Sequence, residues 1–444
     1  LNTGRQFARV LRTRDVILLS FGAMIGWSWV LFSGHWIASG GSLGAAIAFL
    51  IGGAVVALIG LLYAELASAM PKVGGEHVYT HRALGHGPSF VCTWALLMSY
   101  VMVCVFESAA LPTALEYLVP AIRFLPLWEI QGAQVNLGFV AVGIAGALTM
   151  TWVNVRGIRT AAIVQSIITL LVFLSGALLM IGAISFGELD RATPWFANGA
   201  PGIGVVLIMG PALLVGFDVI PQSAEEIDLE PGRIGMLLVV SVLCAVGWYA
   251  MITLSVAVGT GAVSDDSLAT ADAAATLWGS GLAGQFLVIG GVGGILTSWN
   301  AFIIGASRLV FALAESGVLP SNFAKLHPRY RTPHVAIITL GALSCISPLF
   351  GRSILVWLVN AGSFAVVIAY LFVAIAFVAL RRNEPDMPRP FRVRMGIPVG
   401  IVTIVASLLL LNVYLPWSPS GLLWPNEWLM VVGWALLGVL VFAR

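Results

Sequence analysis

The chain has 444 residues, of which 59% are hydrophobic and 9% charged, with net charge +2 and mean hydropathy +0.99. A soluble globular protein carries roughly 25% charged residues, so this composition excludes one, and apolar runs that follow one another from residue 16 onward leave no room for a soluble catalytic domain. The basic residues are spread by membrane side rather than gathered in one patch, which excludes nucleic acid as a partner and makes the lipid bilayer one.

Runs of about 20 apolar residues, enough to cross a ~30 Å hydrocarbon core, predict spans at 16–39, 43–69, 89–118, 135–154, 160–186, 203–224, 235–260, 284–314, 334–350, 354–380, 397–416 and 426–443. Twelve is the working count. Ahead of span 1, Arg5, Arg9, Arg12 and Arg14 precede no small-residue cleavage site, so the segment does not read as a signal peptide; beginning at Leu1, it reads as a trimmed start. With the N-terminus in the cytoplasm, only Arg123, Arg191 and Arg352 of the 22 basic residues fall on the far side. The positive-inside rule then predicts that both termini are cytoplasmic. Cys92, Cys104, Cys244 and Cys345 lie inside apolar runs at no metal-like spacing and read as packing residues.

Spans 1–5 occupy residues 14–186 and spans 6–10 occupy 203–380. Five is odd, so the second block runs inverted relative to the first, and spans 11 and 12 (397–443) lie outside the repeat. Corresponding interruptions support this: Gly22-Ala23-Met24-Ile25-Gly26 in span 1, and Gly210-Pro211, Gly216-Phe217-Asp218 and Pro221 in span 6. Glycine and proline weaken the helical ladder, and unwound backbone at membrane depth is tolerated only against protein or a cavity. The expected fold is therefore an all-α polytopic membrane protein, a five-plus-five inverted repeat with broken helices 1 and 6 and two extra C-terminal helices. The binding site is expected between the breaks; the alternative is that the glycines serve close helix packing.

Four stretches then carry a resemblance. They are Tyr63-Ala64-Glu65-Leu66 leading to Pro71-Lys72-Val73-Gly74-Gly75-Glu76; Gly216-Phe217-Asp218 leading to Ala224-Glu225-Glu226; Asn300 and Gly305-Ala306-Ser307-Arg308 with Gly317-Val318-Leu319-Pro320, His327-Pro328 and Arg331-Thr332-Pro333; and Arg381-Arg382-Asn383-Glu384-Pro385-Asp386 to Arg389-Pro390-Phe391. In this order and spacing the chain, over roughly residues 14 to 400, resembles the amino acid–polyamine–organocation (APC) permease superfamily. The resemblance implies a secondary transporter working by alternating access on an amino acid or small amine, with a polyamine or organic cation lacking a carboxylate as the alternative. The setting expected with it is a bacterial inner (plasma) membrane. The oligomeric state stays open.

By the same resemblance the backbone of Gly22–Ser28 takes a substrate carboxylate, and carbonyls around Met24 and Leu213 to Phe217 take an ammonium; free helix ends supply the partial charges. Trp27-Ser28-Trp29 departs from the small residues usual there. Two indoles can narrow the pocket, form a cage for an amine, or pack against a neighbouring helix.

Charge inside the bilayer is costly, so each acid there needs a reason. Glu107, mid-way along span 3, reads as a partner for a substrate ammonium, a proton carrier, or a structural acid. Asp218 in the span 6 interruption resembles the family's acid at that place, and the resemblance implies a role in gating and proton sensitivity; the alternative is a helix cap. Glu65 is expected to pair with an arginine, and Glu225, Glu226 and Asp228 to form a solvated loop near Arg233. Many family members carry a lysine in helix 5, and here Val172 stands at that place. Coupling is therefore left to Na+, to H+ through Glu107 or Asp218, or to exchange without an ion. Thr297 and Ser298 offer hard oxygen ligands for a small cation. No cofactor is expected.

An intramembrane enzyme is the competing class. His-Glu-x-x-His and phosphate-loop patterns are missing from the sequence, and His77 and His81 read as part of a surface helix. A passive channel is disfavoured by the lack of charged rings.

Overall fold

A computed structural model describes residues 9–26, 28–130, 132–260 and 268–443, with backbone alone at 158–160. Ten helical segments among these are long and apolar enough to cross a membrane, and two shorter apolar helices stand where spans 9 and 12 are predicted. The chain is an integral membrane protein built of helices.

In chain order the first helices are α1 (Thr13–Met24), α2 (Ser28–Leu31), α3 (Ser33–Gly40), α4 (Ser42–Ala69), α5 (Glu76–Leu84) and α6 (His86–Leu118). An antiparallel hairpin follows, β1 (Pro126–Ile130) with β2 (Ala133–Asn136), Glu129 opposite Gln134. Then come α7 (Leu137–Val155), α8 (Ile158–Phe186), α9 (Gly199–Leu214), α10 (Val219–Gln222), α11 (Pro231–Thr260), α12 (Ala269–Trp278) and α13 (Gly281–Glu315). The last four are α14 (His334–Ser344), α15 (Leu355–Asn383), α16 (Gly396–Val413) and α17 (Asn426–Phe442). The hairpin and α12 are too short to register as apolar runs, so the sequence did not announce them.

Burial sorts the helices into an inner and an outer set. The most apolar stretch of α13 is 83% buried inside the protein, against 33% for α8 and 28% for α16. In lipid an outer helix still satisfies its backbone internally, so exposed leucines there cost little.

Both predicted interruptions are present. Helix 1 stops at Met24 and resumes at Ser28, while helix 6 stops at Leu214 and resumes at Val219. In α9, Pro211 cannot donate to the ladder. Ser363 of α15 fills in, accepting the Ala212 N–H at 3.0 Å and donating to the Met209 carbonyl at 3.2 Å. At Gly216 the backbone takes φ +132°, and a Cβ there would stand 2.8 Å from the Cβ of Ala23 and 3.0 Å from the Met24 nitrogen. Only glycine allows this close approach, so the two interruptions meet directly.

The acidic segment after α10 departs from expectation. Glu226 is buried, not solvated, and forms an ion pair with Arg308 of α13 at 2.8 Å; Arg233 pairs with Glu230 instead. An N-terminal segment folds under it, with the Val10 and Leu11 amides donating to the Glu226 carbonyl at 3.0 Å. α5 is a surface helix on one face only: His81 and Arg82 are exposed, but Glu76, His77, Tyr79 and Thr80 are buried. Of the cysteines, Cys92 and Cys104 are buried as expected, but Cys244 is exposed on the outside of α11.

Candidate functional site

A small cavity of about 40 Å³ lies beside the two interruptions. By the measure of about 10–15 Å³ per water, it has room for roughly three. Ala23, Met24, Gly26 and Ser28 line it from helix 1, Met102, Val103, Phe106 and Glu107 from α6, and Ala212 and Leu213 from α9. Ser298 and Phe302 of α13 and Leu358, Val359 and Gly362 of α15 complete the wall. Among the described residues, Glu107 is the one ionisable side chain in it. Apart from the carboxyl and the two serine hydroxyls, the side chains lining it are apolar.

Gly26 sets the geometry on one side. A Cβ at that position would stand 2.8 Å from the Ser298 Oγ and 3.1 Å from the Glu107 Oε1, so the backbone of helix 1 rests on that pair. The Ser298 hydroxyl donates to Glu107, and the second carboxyl oxygen lacks a hydrogen-bond partner among the described residues. Tyr249 of α11 bridges the interruption itself. Its hydroxyl donates to the Met24 carbonyl at 2.8 Å and accepts from Ser28 Oγ at 2.9 Å, tying α1 to α2.

The other sequence candidates are distributed around this centre. Gly22 packs on Gln165, Thr169 and Thr297. Ile25 is fully buried in the interruption, and Trp27 lies outside the described residues. Trp29 points away from the cavity, edge-on to Trp248 with ring centroids 5.6 Å apart, so it belongs to the packing alternative. Phe217 sits one layer below the cavity between Tyr63 and Tyr370, at 5.3 and 5.9 Å. Asp218 is fully buried there, and its Oδ1 accepts the Gly216 N–H at 3.0 Å, an amide preceding α10 rather than one inside it.

Around the coupling candidates, Thr297 donates to its own helix at the Gly294 carbonyl, 3.0 Å away. Val172 packs toward Gly293 of α13. The α8 side chains that reach helix 1 are Gln165 and Thr169, each donating to the Leu18 carbonyl at 3.4 Å. Among the described residues no cluster of His, Cys, Asp or Glu is arranged to hold a metal ion.

Two further features were not legible beforehand. A vestibule of about 1040 Å³ opens on the face away from the termini, lined by Phe32, His35, Glu116, Arg123 and Asp272 among others. It is separated from the central cavity by Phe32 and Phe106, whose rings lie 6.0 Å apart. The terminal face, by contrast, is closed in depth. Beneath Phe217 come the Glu226–Arg308 pair and the Gln222 amide donating to Glu76. Glu65 pairs with both Arg381 at 2.5 Å and Arg389 at 3.0 Å, the arginine partnership expected for it.

A family profile described as amino acid permease matches residues 11–440, nearly the whole chain. The chain belongs to the amino acid permease family. Among similar members, the branched-chain amino acid permease BcaP and the methylthioribose transporter of Bacillus subtilis (strain 168) are each 26% identical over 99% of this chain and 93% of their own length. The aspartate-proton symporter of the same organism is 25% identical over 90% of this chain and 78% of its own. The names of the family and of these relatives are those of permeases and transporters. The APC assignment drawn from the four sequence stretches stands.

Proposed function

We propose that the protein is a secondary transporter that carries an amino acid with a small apolar side chain by alternating access, binding it between the two helix interruptions. The observation that carries this reading is the cavity itself: small, apolar-walled, and holding a single carboxyl, Glu107, beside unwound backbone. The Glu107 carboxylate and the carbonyl end of α9 near Leu213 take the ammonium. The Gly26 and Ser28 amides take the carboxylate, at the start of α2 where free N–H groups favour an anion. Apolar side chains of α6, α13 and α15 surround the remainder.

Alternating access is supported by the asymmetry of closure. One pair of phenylalanine rings divides the cavity from the vestibule, whereas several layers divide it from the terminal face, so the form described is outward-facing and closed at the thin side. The positive-inside pattern supports a cytoplasmic terminal face.

A second reading, an amine without a carboxylate, is favoured by one observation: among the described residues Glu107 is the sole ionisable lining group and no basic side chain lines the cavity with it. Uptake of labelled alanine, valine, leucine and a simple amine into proteoliposomes, with Na+ or H+ gradients imposed separately, tests both. Amino acid uptake that the amine does not compete supports the first reading. Uptake of the amine alone supports the second, and movement of neither removes both.

A further inference from the structure

Directly below the central cavity, on the terminal side, lies a buried polar layer that the substrate reading does not use. Glu76 begins α5 and is fully buried. Its Oε2 accepts from the Gln222 side chain of α10, and Gly75 packs on Pro221 and Gln222. Asp218, also fully buried, sits at the start of the same short helix. Several polar atoms of this layer have no hydrogen bond of ordinary geometry among the described residues: Glu76 Oε1, Asp218 Oδ2, Gln222 Oε1 and the hydroxyls of Tyr63, Tyr100 and Tyr370. Buried polar groups are nearly always satisfied, so a cluster of orphans marks a place where water or an ion belongs.

The charge balance says which. The groups facing the two acids are Tyr63 from α4, Tyr79 from α5, Cys92 and Tyr100 from α6, and Tyr370 from α15. None is a cation. The imidazole of His77 is turned to Ser89 and Thr93 of α6, and from α13 Arg308 is engaged with Glu226. The Tyr63 hydroxyl stands beside Glu76, and those of Tyr100 and Tyr370 stand beside Asp218, so the tyrosines connect the two carboxyls. Two carboxylates in one low-dielectric site do not both ionise.

We propose that Glu76 and Asp218 form a carboxyl pair that carries one proton, a proton-binding site distinct from Glu107 and placed at the closure of the terminal face. Burial, and after it the charge of Asp218, raises the Glu76 pKa above the ordinary carboxylate value, in keeping with a protonated Glu76. Because Gln222 and Gly75 seal this layer, the site exchanges its proton with solvent only when α5 and α10 separate. Proton release is thereby tied to opening toward that face. This last link rests on the transport reading above; the protonated pair does not.

The test is infrared spectroscopy of the full chain reconstituted in lipid, in sodium-free buffer, following the carbonyl stretch of protonated carboxylic acids from pH 5 to 9. In the wild type one such band persists at neutral pH and Glu76→Gln removes it, whereas Glu107→Gln leaves it in place. Asp218→Asn keeps the band and moves its midpoint to lower pH by about one unit or more, because the like charge is gone. An unchanged spectrum in Glu76→Gln, or an unmoved midpoint in Asp218→Asn, overturns the inference. Loss of the wild-type band on adding NaCl also overturns it, by making the pair a sodium site. The spectra read the carboxyls whether or not any substrate is transported, so failed uptake would strike the transport reading alone.

Discussion

Ser298 on α13 gives its hydroxyl hydrogen to the carboxyl of Glu107 on α6, and the backbone of Gly26 lies directly over the pair. Three helices therefore converge on one acid, and the convergence has no room for a side chain on helix 1. Gly26→Ala should push that backbone off the pair, an overpacking cost of about 1–3 kcal/mol. Displacing binding groups by a fraction of an ångström should cut uptake on the order of tenfold or more. Thermal unfolding in detergent and initial uptake rates check the two separately; a Gly26→Ala protein with native uptake would detach helix 1 from the site.

The serine and its neighbour are expected to differ in consequence. Ser298→Ala leaves Glu107 without its donor, while Thr297→Ala removes only a bond within α13. Substrate affinity should therefore fall about tenfold or more in Ser298→Ala and little in Thr297→Ala, since a hydrogen bond to a charged group contributes about 1.5–3 kcal/mol. If uptake depends on sodium, the double variant should also weaken that dependence. Competition binding across a sodium series separates the outcomes, and equal affinity in all three variants would take both hydroxyls out of the site.

The Glu226–Arg308 pair is buried on both sides. Removing one partner strands the other, which typically costs about 3–5 kcal/mol, whereas replacing both with apolar residues of similar volume is often near neutral. Arg308→Met is therefore expected to lower the melting temperature sharply, and Arg308→Met with Glu226→Leu to recover much of the loss. Failure of the double variant to recover would mean that other contacts of Arg308 dominate.

The spans and both interruptions were readable in advance because apolar runs and mid-span Gly and Pro act locally. Glu107 and Ser298 were each singled out, but for different tasks; their contact joins α6 to α13 across 191 positions, which no periodicity encodes. Glu226 looked like a loop acid because its neighbours Glu225 and Asp228 are polar, and only tertiary packing brings Arg308 to it. Tyr249 and Glu76 had no distinguishing pattern, one lying in an apolar run and the other closing a glycine motif. Side-chain direction, not helix position, is what a single sequence leaves open, and it is also what turned Trp29 away from the cavity.

His77 offers a pH signature that does not depend on transport. The Thr93 hydroxyl donates to the Ser89 carbonyl at 2.8 Å and the Ser89 hydroxyl to the His77 carbonyl at 3.0 Å. Both hydroxyl hydrogens being spent, the imidazole Nδ1, 3.1 Å from Thr93 Oγ1, must carry its own hydrogen and donate. Burial, then the charges of His81 and His86, lowers the His77 pKa to about 4. An unfolded histidine titrates near 6.5. Between those values the unfolded chain binds a proton that the folded one refuses, so stability should decline as pH falls from about 6.5 to about 4 and level off below. The loss is at most about 3–4 kcal/mol from this group. His77→Asn keeps an N–H donor and does not titrate, so its melting temperature should fall less over that interval than the wild type's. Parallel melting curves for the two proteins from pH 7 to pH 4 would show instead that His77 is charged in the folded state.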